Sequence, residues 1–228
     1  MKITTILLLL LFASTNAQIS TQQLTGQTTN SNNSLESDAQ SAFNKMRAAA
    51  LKDGIDLKIV SGYRSFNKQR QIWNRKYKKY AAQGLAPDAI FDKIVEYSTV
   101  PGTSRHHWGT DMDIIDQGAS YSGDVLVPDK FHGNGPFCKM KDWMQENAAT
   151  YGFELVYTLN ENRTGFKYEP WHYSYAPLSR KLLQEYLSET NFLTFLRSQE
   201  ILGMEKISDE RLLRYYNEHI NGINPFLQ

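Results

Sequence analysis

Apolar residues in AQSAFNKMRAAALKDG fall at Phe43, Met46 and Ala50, near the spacing of one helix face, and Gly54 then offers a left-handed stop, so the pattern predicts a first helix. The next segment, LKIVSGYRS, alternates apolar and polar positions as a half-buried strand does and turns at Gly62. Helical spacing returns in SFNKQRQIWNRKYKKYAAQG, with Ser65 as N-cap, Ile72, Trp73 and Tyr77 as its apolar stripe, and Gly84 as its end. A shorter helical pattern, PDAIFDKIVEY, leads to the turn signal Pro101-Gly102. DMDIID reads as a strand and GPFCKMKDWMQENAATYGF as a helix ending at Gly152. FELVYT and YEPWHYSYA read as two strands joined by a turn near NENRTG. From Pro177 onward the pattern is helical and leucine-rich. Helices first and last with a few strands between them predict an α+β fold, a small, mostly antiparallel sheet flanked by helices, with a helical C-terminal extension.

Two stretches depart from these periodicities. MKITTILLLLLFASTNAQ carries one early lysine, an apolar run of roughly ten residues and then small polar residues, the layout of a signal peptide cleaved after Ala17. The run is too short for a membrane span, which needs about 20 residues, so an exported protein, periplasmic or secreted, with no stable membrane span after cleavage is expected. Residues 18–37 are mostly Gln, Thr, Ser and Asn and are expected to form a flexible polar tether. That divides the chain into a leader (1–17), a tether (18–37), a folded domain (38–176) and the extension (177–228).

Composition narrows the function. With 228 residues, 41% of them hydrophobic, the chain has room for one well-filled domain. A net charge of +1 from 25 basic and 24 acidic residues gives no electrostatic footprint for nucleic acid or an acidic membrane. The basic cluster Arg75-Lys76-Tyr77-Lys78-Lys79 reads as a solvated helix face. Cys138, the single cysteine, has no partner for a disulfide within the chain and no motif-like histidine beside it, so it reads as a small buried or half-buried side chain.

The chemistry concentrates in SRHHWGTDMDI, residues 104–114, and in EPWHY, residues 169–173. If TDMDI is extended, Met112 and Ile114 face the core while Asp111 and Asp113 share the other face, where two carboxylates repel unless a cation or donor lies between them. Gly109 lets the chain bend so that His106 or His107 folds back over that face. Local sequence leaves either histidine and either aspartate open. In EPWHY, Pro170 predicts a turn followed by an edge-like strand, with Glu169 and His172 converging. Two histidines and one aspartate make three ligands and leave a fourth tetrahedral position for water, as in catalytic zinc sites; imidazoles disfavour magnesium and calcium.

The order SGYRS with a following glutamine, then S-x-H-x6-D, then EPWHY resembles the VanY-like D-alanyl-D-alanine carboxypeptidases, zinc peptidases that trim the peptide stems of bacterial cell wall. The resemblance runs from about Asp38 to Ala176. It implies one zinc ion held by His106, Asp113 and His172, Glu169 as general base, Arg64 and Gln69 holding substrate, Ser104 lining the cleft, and His107 and Asp111 at non-ligand positions. Arg64 would also stabilise the oxyanion of amide hydrolysis. Asp111 departs from the family pattern, where a small residue is common, and is expected either to support a ligand or to narrow substrate choice. The implied activity is removal of the terminal D-alanine of peptidoglycan stem peptides. An L,D-carboxypeptidase, an endopeptidase, or a wall-binding module that keeps zinc without turnover are the alternatives, and the base Glu169 argues against the last.

Overall fold

The computed structural model describes residues 19–28 and 34–228, and the expected leader lies outside the described residues. Among the described residues the chain runs through α1 (Thr21–Leu24), α2 (Ser37–Lys52), β1 (Leu57–Ser61), α3 (Phe66–Ala82), α4 (Pro87–Val95), β2 (Asp111–Asp116), α5 (Cys138–Asn147), β3 (Phe153–Leu155), β4 (His172–Tyr175), α6 (Ala176–Glu189), α7 (Phe192–Arg197) and α8 (Asp209–Tyr215). The four strands pair in the order β1-β2-β4-β3, each pair antiparallel. This is the α+β arrangement that the alternation of periods 2 and 3.6 predicts.

Every position of β2 is buried, because the strand has a neighbour on each side. Met112 and Ile114 enter a core made with Phe43 and Met46 of α2, Met140 and Met144 of α5, and Phe153. Alternation then turns Asp111 and Asp113 to the opposite face. A second core joins Trp73 of α3 and Ile90 and Ile94 of α4 to Leu183, Tyr186, Leu212 and Tyr215 of the C-terminal helices. Those helices, expected as an extension, therefore share a core with the central elements. Tyr215 also reaches the turn before the histidines, where its hydroxyl accepts from the Val100 N–H at 3.1 Å and lies 2.7 Å from Thr103 Oγ1.

Two expectations are corrected. Within the segment read as a flexible tether, residues 19–28 pack against the domain: Leu24 is buried, its carbonyl accepts from Trp108 Nε1 at 3.0 Å, and the Gly26 carbonyl accepts from the Phe66 N–H at 2.7 Å. Gly26 has φ +73°, and a Cβ there would come within 2.4 Å of the His107 ring. Ile19, Leu24 and Leu35 are the apolar anchors that a composition dominated by Gln, Thr, Ser and Asn hides. The strand after Pro170 is also not an edge, since β4 lies between β2 and β3. Pro170 sits in the turn before β4, where its missing N–H costs the ladder nothing.

Candidate active site

Register builds the centre of the site. Asp113 of β2 lies directly opposite His172 of β4, and Asp111 opposite Ser174, so four polar side chains share one face of two adjacent strands. Before β4 a tight turn, in which the His172 N–H donates to the Glu169 carbonyl at 3.1 Å, brings the Glu169 carboxylate to 3.1 Å from His172 Nδ1. His106 arrives on a single 3-10 turn, Arg105–Trp108, closed by Gly109 at φ +70°. That is the bend the sequence places at this glycine.

His106, Asp113 and His172 each offer a ligand atom, and these atoms lie within 4.8 Å of one another, all buried. Each histidine has one nitrogen already committed. His106 Nδ1 lies 2.8 Å from the Gly62 carbonyl, so it is the donor and Nε2 faces Asp113 Oδ2 at 3.5 Å. His172 Nε2 donates to Asp111 Oδ2 at 3.0 Å, which leaves Nδ1 toward Asp113 Oδ1, 3.9 Å away. Two oriented imidazoles and one carboxylate fit a zinc ion with an open position, and hard divalent cations poorly.

The two residues that local sequence could not separate from the ligands have other partners. Both His107 nitrogens meet backbone: Nδ1 the Arg64 carbonyl and Nε2 the Gly102 N–H. Asp111, fully buried, accepts from Arg105 Nε at 2.9 Å, Ser174 Oγ at 2.6 Å, Thr110 Oγ1 at 3.0 Å and His172. Of the two expectations for Asp111, the geometry supports the ligand-orienting one. Arg105, which the sequence reading passed over, is 5% exposed and stacks over Trp108 at 4.8 Å. Only its position next to a histidine with an aspartate six residues on hinted at an ion pair.

Electrostatics follow from burial and these contacts. Burial, helped by Arg64, pushes the His106 imidazole down and favours its neutral, ligating form. Burial pushes the Asp111 and Asp113 carboxyls up, but Arg105 and His172 around the first, and His106 around the second, outweigh it and leave both below the usual range. Burial raises Glu169 against the opposing pull of His172. For His172 burial works downward, and the bonds to Asp111 and Glu169 outweigh it and raise the imidazole to about 10, so a metal at Nδ1 displaces a proton.

A cavity of about 450 Å³ opens onto these groups, lined by Arg64, Lys76, Ser104, His106, Asp113, Tyr157, Glu169 and His172 among others. Ser104, one of the lining residues, has its Oγ buried with no hydrogen-bond partner among the described residues. Arg64 stands 3.6 Å from Asp113 Oδ2, held by Ser61 Oγ at 2.7 Å and Gln69 Oε1 at 2.9 Å. Gln69 differs from the expectation that it touches substrate. It is fully buried, its amide nitrogen donates to the Thr99 carbonyl at 2.8 Å, and its oxygen is occupied by Arg64, so it holds the arginine instead. Lys76 is the second correction: it leaves the solvated basic face and lines the cleft.

Comparison with known proteins points to one family. The family model for VanY, D-alanyl-D-alanine carboxypeptidase, matches residues 32–178. A putative carboxypeptidase, YodJ, of Bacillus subtilis is 33% identical over 143 residues, 62% of this chain and 46% of that one. A D-alanyl-D-alanine carboxypeptidase of Enterococcus faecalis is 31% identical over 129 residues, 56% of this chain and 43% of that one. The chain thus spans less than half the length of these two relatives. A mutant of the vancomycin resistance D,D-pentapeptidase VanY, solved in complex with Zn(II), superposes with a TM-score of 0.50 at 28% identity, covering 64% of this chain and 75% of that one.

Proposed function

The chain belongs to the VanY D-alanyl-D-alanine carboxypeptidase family, and from that premise we propose that it is a zinc-dependent carboxypeptidase releasing the terminal D-alanine of peptidoglycan stem peptides. The observation that carries this reading is the position of Glu169. Its carboxylate lies 3.1 Å from His172 Nδ1, the nitrogen turned toward Asp113, so a base and a metal donor meet at one point. A binding module has no chemical use for that placement.

His106 Nε2, Asp113 and His172 Nδ1 would hold the zinc, and the chemistry it would supply there is Lewis acidity toward a carbonyl and a water. Glu169 would accept the proton of that water and return it to the leaving amine; its burial, which raises its pKa, strengthens it as the base of the first transfer. Arg64, pinned by Gln69 and Ser61 beside Asp113, sets a fixed positive charge where negative charge develops on the carbonyl oxygen. The unpartnered Ser104 hydroxyl takes a peptide polar group. Export belongs to the same reading, because wall stems lie outside the membrane and the N-terminal pattern has the layout of a leader; sequencing the N-terminus of protein recovered from cells tests it.

Mass spectrometry of synthetic tripeptide, tetrapeptide and pentapeptide stems after incubation with the zinc-loaded protein decides the function. Conversion of pentapeptide to tetrapeptide is expected. Conversion of tetrapeptide to tripeptide would make the protein an L,D-carboxypeptidase, internal fragments an endopeptidase, and intact stems would overturn the catalytic reading.

A further inference from the structure

Helix α3 gives Phe66, Gln69, Trp73 and Tyr77 to the interior. That stripe leaves Ile72 and Lys76, one turn apart, on the neighbouring face, and both line the catalytic cavity. Arg75, Lys78 and Lys79 around it are exposed, whereas Lys76 is half-buried. It has no hydrogen bond or ion pair with any described residue. The cavity's other two cations are committed, Arg64 to Ser61, Gln69 and Asp113, and Arg105 to Asp111 and Ser174. A half-buried ammonium with no carboxylate in ion-pair contact is costly to maintain, and a ligand carboxylate would offset that cost. Burial does push this amine down, with Glu169 opposing, as an unpaired cation near a carboxylate requires.

We propose that Lys76 is the carboxylate anchor of the cleft: its ammonium pairs with a carboxylate of the substrate and thereby sets which bond lies over the zinc. This deepens the proposed function and rests on it. With Gln69 withdrawn into the wall, Lys76 is the group on α3 that is available to an anionic substrate. Two carboxylates carry the required chemistry, the terminal α-carboxylate of the stem and an acidic side chain further back along it.

The test uses calorimetry on full-length, zinc-loaded Glu169→Gln protein, which keeps the cleft without turnover. The probes are D-alanyl-D-alanine peptides as free acid and as C-terminal amide, each with an acidic or a neutral residue at the third position. The free acid is expected to bind at least tenfold more tightly than the amide, and adding Lys76→Gln is expected to reduce that preference below threefold while Lys76→Arg restores most of it. If the preference that Lys76→Gln erases follows the third residue instead, the side-chain carboxylate is the partner. Unchanged preferences in the Lys76→Gln protein would overturn the proposal. Steady-state kinetics in the Glu169 background give a separate readout, a raised KM for the free acid with a much smaller change in kcat. Failure of every stem to be hydrolysed would strike the proposed function and leave the binding contrast to judge Lys76.

Discussion

The two walls of the cleft are built on opposite principles. On the β2–β4 wall the buried carboxylate of Asp111 is met by four donors, and each ligand histidine has one nitrogen fixed by a protein oxygen. On the α3 wall Gln69 is spent on holding Arg64, and Lys76 reaches the cavity with no protein partner. The strand wall is therefore organised before anything binds, which is what a metal site and a proton transfer need. The helix wall is left to be completed by a ligand. On the proposed function, chemistry falls to the strand wall and selectivity to the helix wall, and variants on each wall should fail in different ways.

The largest expected effect falls on the strand wall. Glu169→Ala should lower kcat at least 10³-fold with zinc stoichiometry kept, since it removes a proton carrier and no ligand. His172→Ala should instead lose the metal, which zinc analysis after dialysis against a weak chelator reads directly. Loss of zinc in the first variant, or its retention in the second, would mean the roles of base and ligand are assigned wrongly. Next comes Asp111→Asn, which keeps an acceptor for the His172 N–H and removes the charge facing Arg105. Zinc affinity is expected to fall about 10- to 100-fold, as when a partner of a ligating histidine is removed. Denaturant unfolding should show a loss of about 3 kcal/mol, because Arg105 is left buried beside a neutral group. An Asp111→Asn protein that binds zinc as tightly as the wild type would make Asp111 a structural counter-ion to Arg105 alone.

The strand wall was also the part most legible in the sequence. The alternation of DMDI, residues 111–114, put Asp111 and Asp113 on one face whatever the partner strands, and Gly109 marked the bend that returns His106. The choice between His106 and His107 was not local. It depends on Arg64 and Gly102, whose backbone groups take both nitrogens of His107, on Gly26 packed against that ring, and on Gly62, which takes only Nδ1 of His106 and leaves its Nε2 toward Asp113. Lys76 was misread for a related reason. A run of basic residues on a helix looks uniform in composition, and only the rotation fixed by Trp73 and Tyr77 shows which of them turns inward. Residues 19–28 were misread because a polar average conceals two apolar anchors.

The smallest effect tests how independent the strand wall is from the helical half. Tyr215 of α8 holds the turn that delivers Ser104 and His106: since Thr103 Oγ1 already donates to the Val100 carbonyl at 2.8 Å, the Tyr215 hydroxyl donates to Thr103 and accepts from the Val100 N–H. Tyr215→Phe keeps the ring against Phe91, Phe166 and Phe192 and strands that N–H in the core. A cost of about 1–3 kcal/mol is expected in denaturant unfolding. Because His106 is also fixed by Gly62 and His172 by Asp111, zinc affinity should change less than threefold. A tenfold weaker zinc affinity in Tyr215→Phe would show that the C-terminal helices set the metal geometry through the turn, and the strand wall would then be organised only as well as the helices behind it.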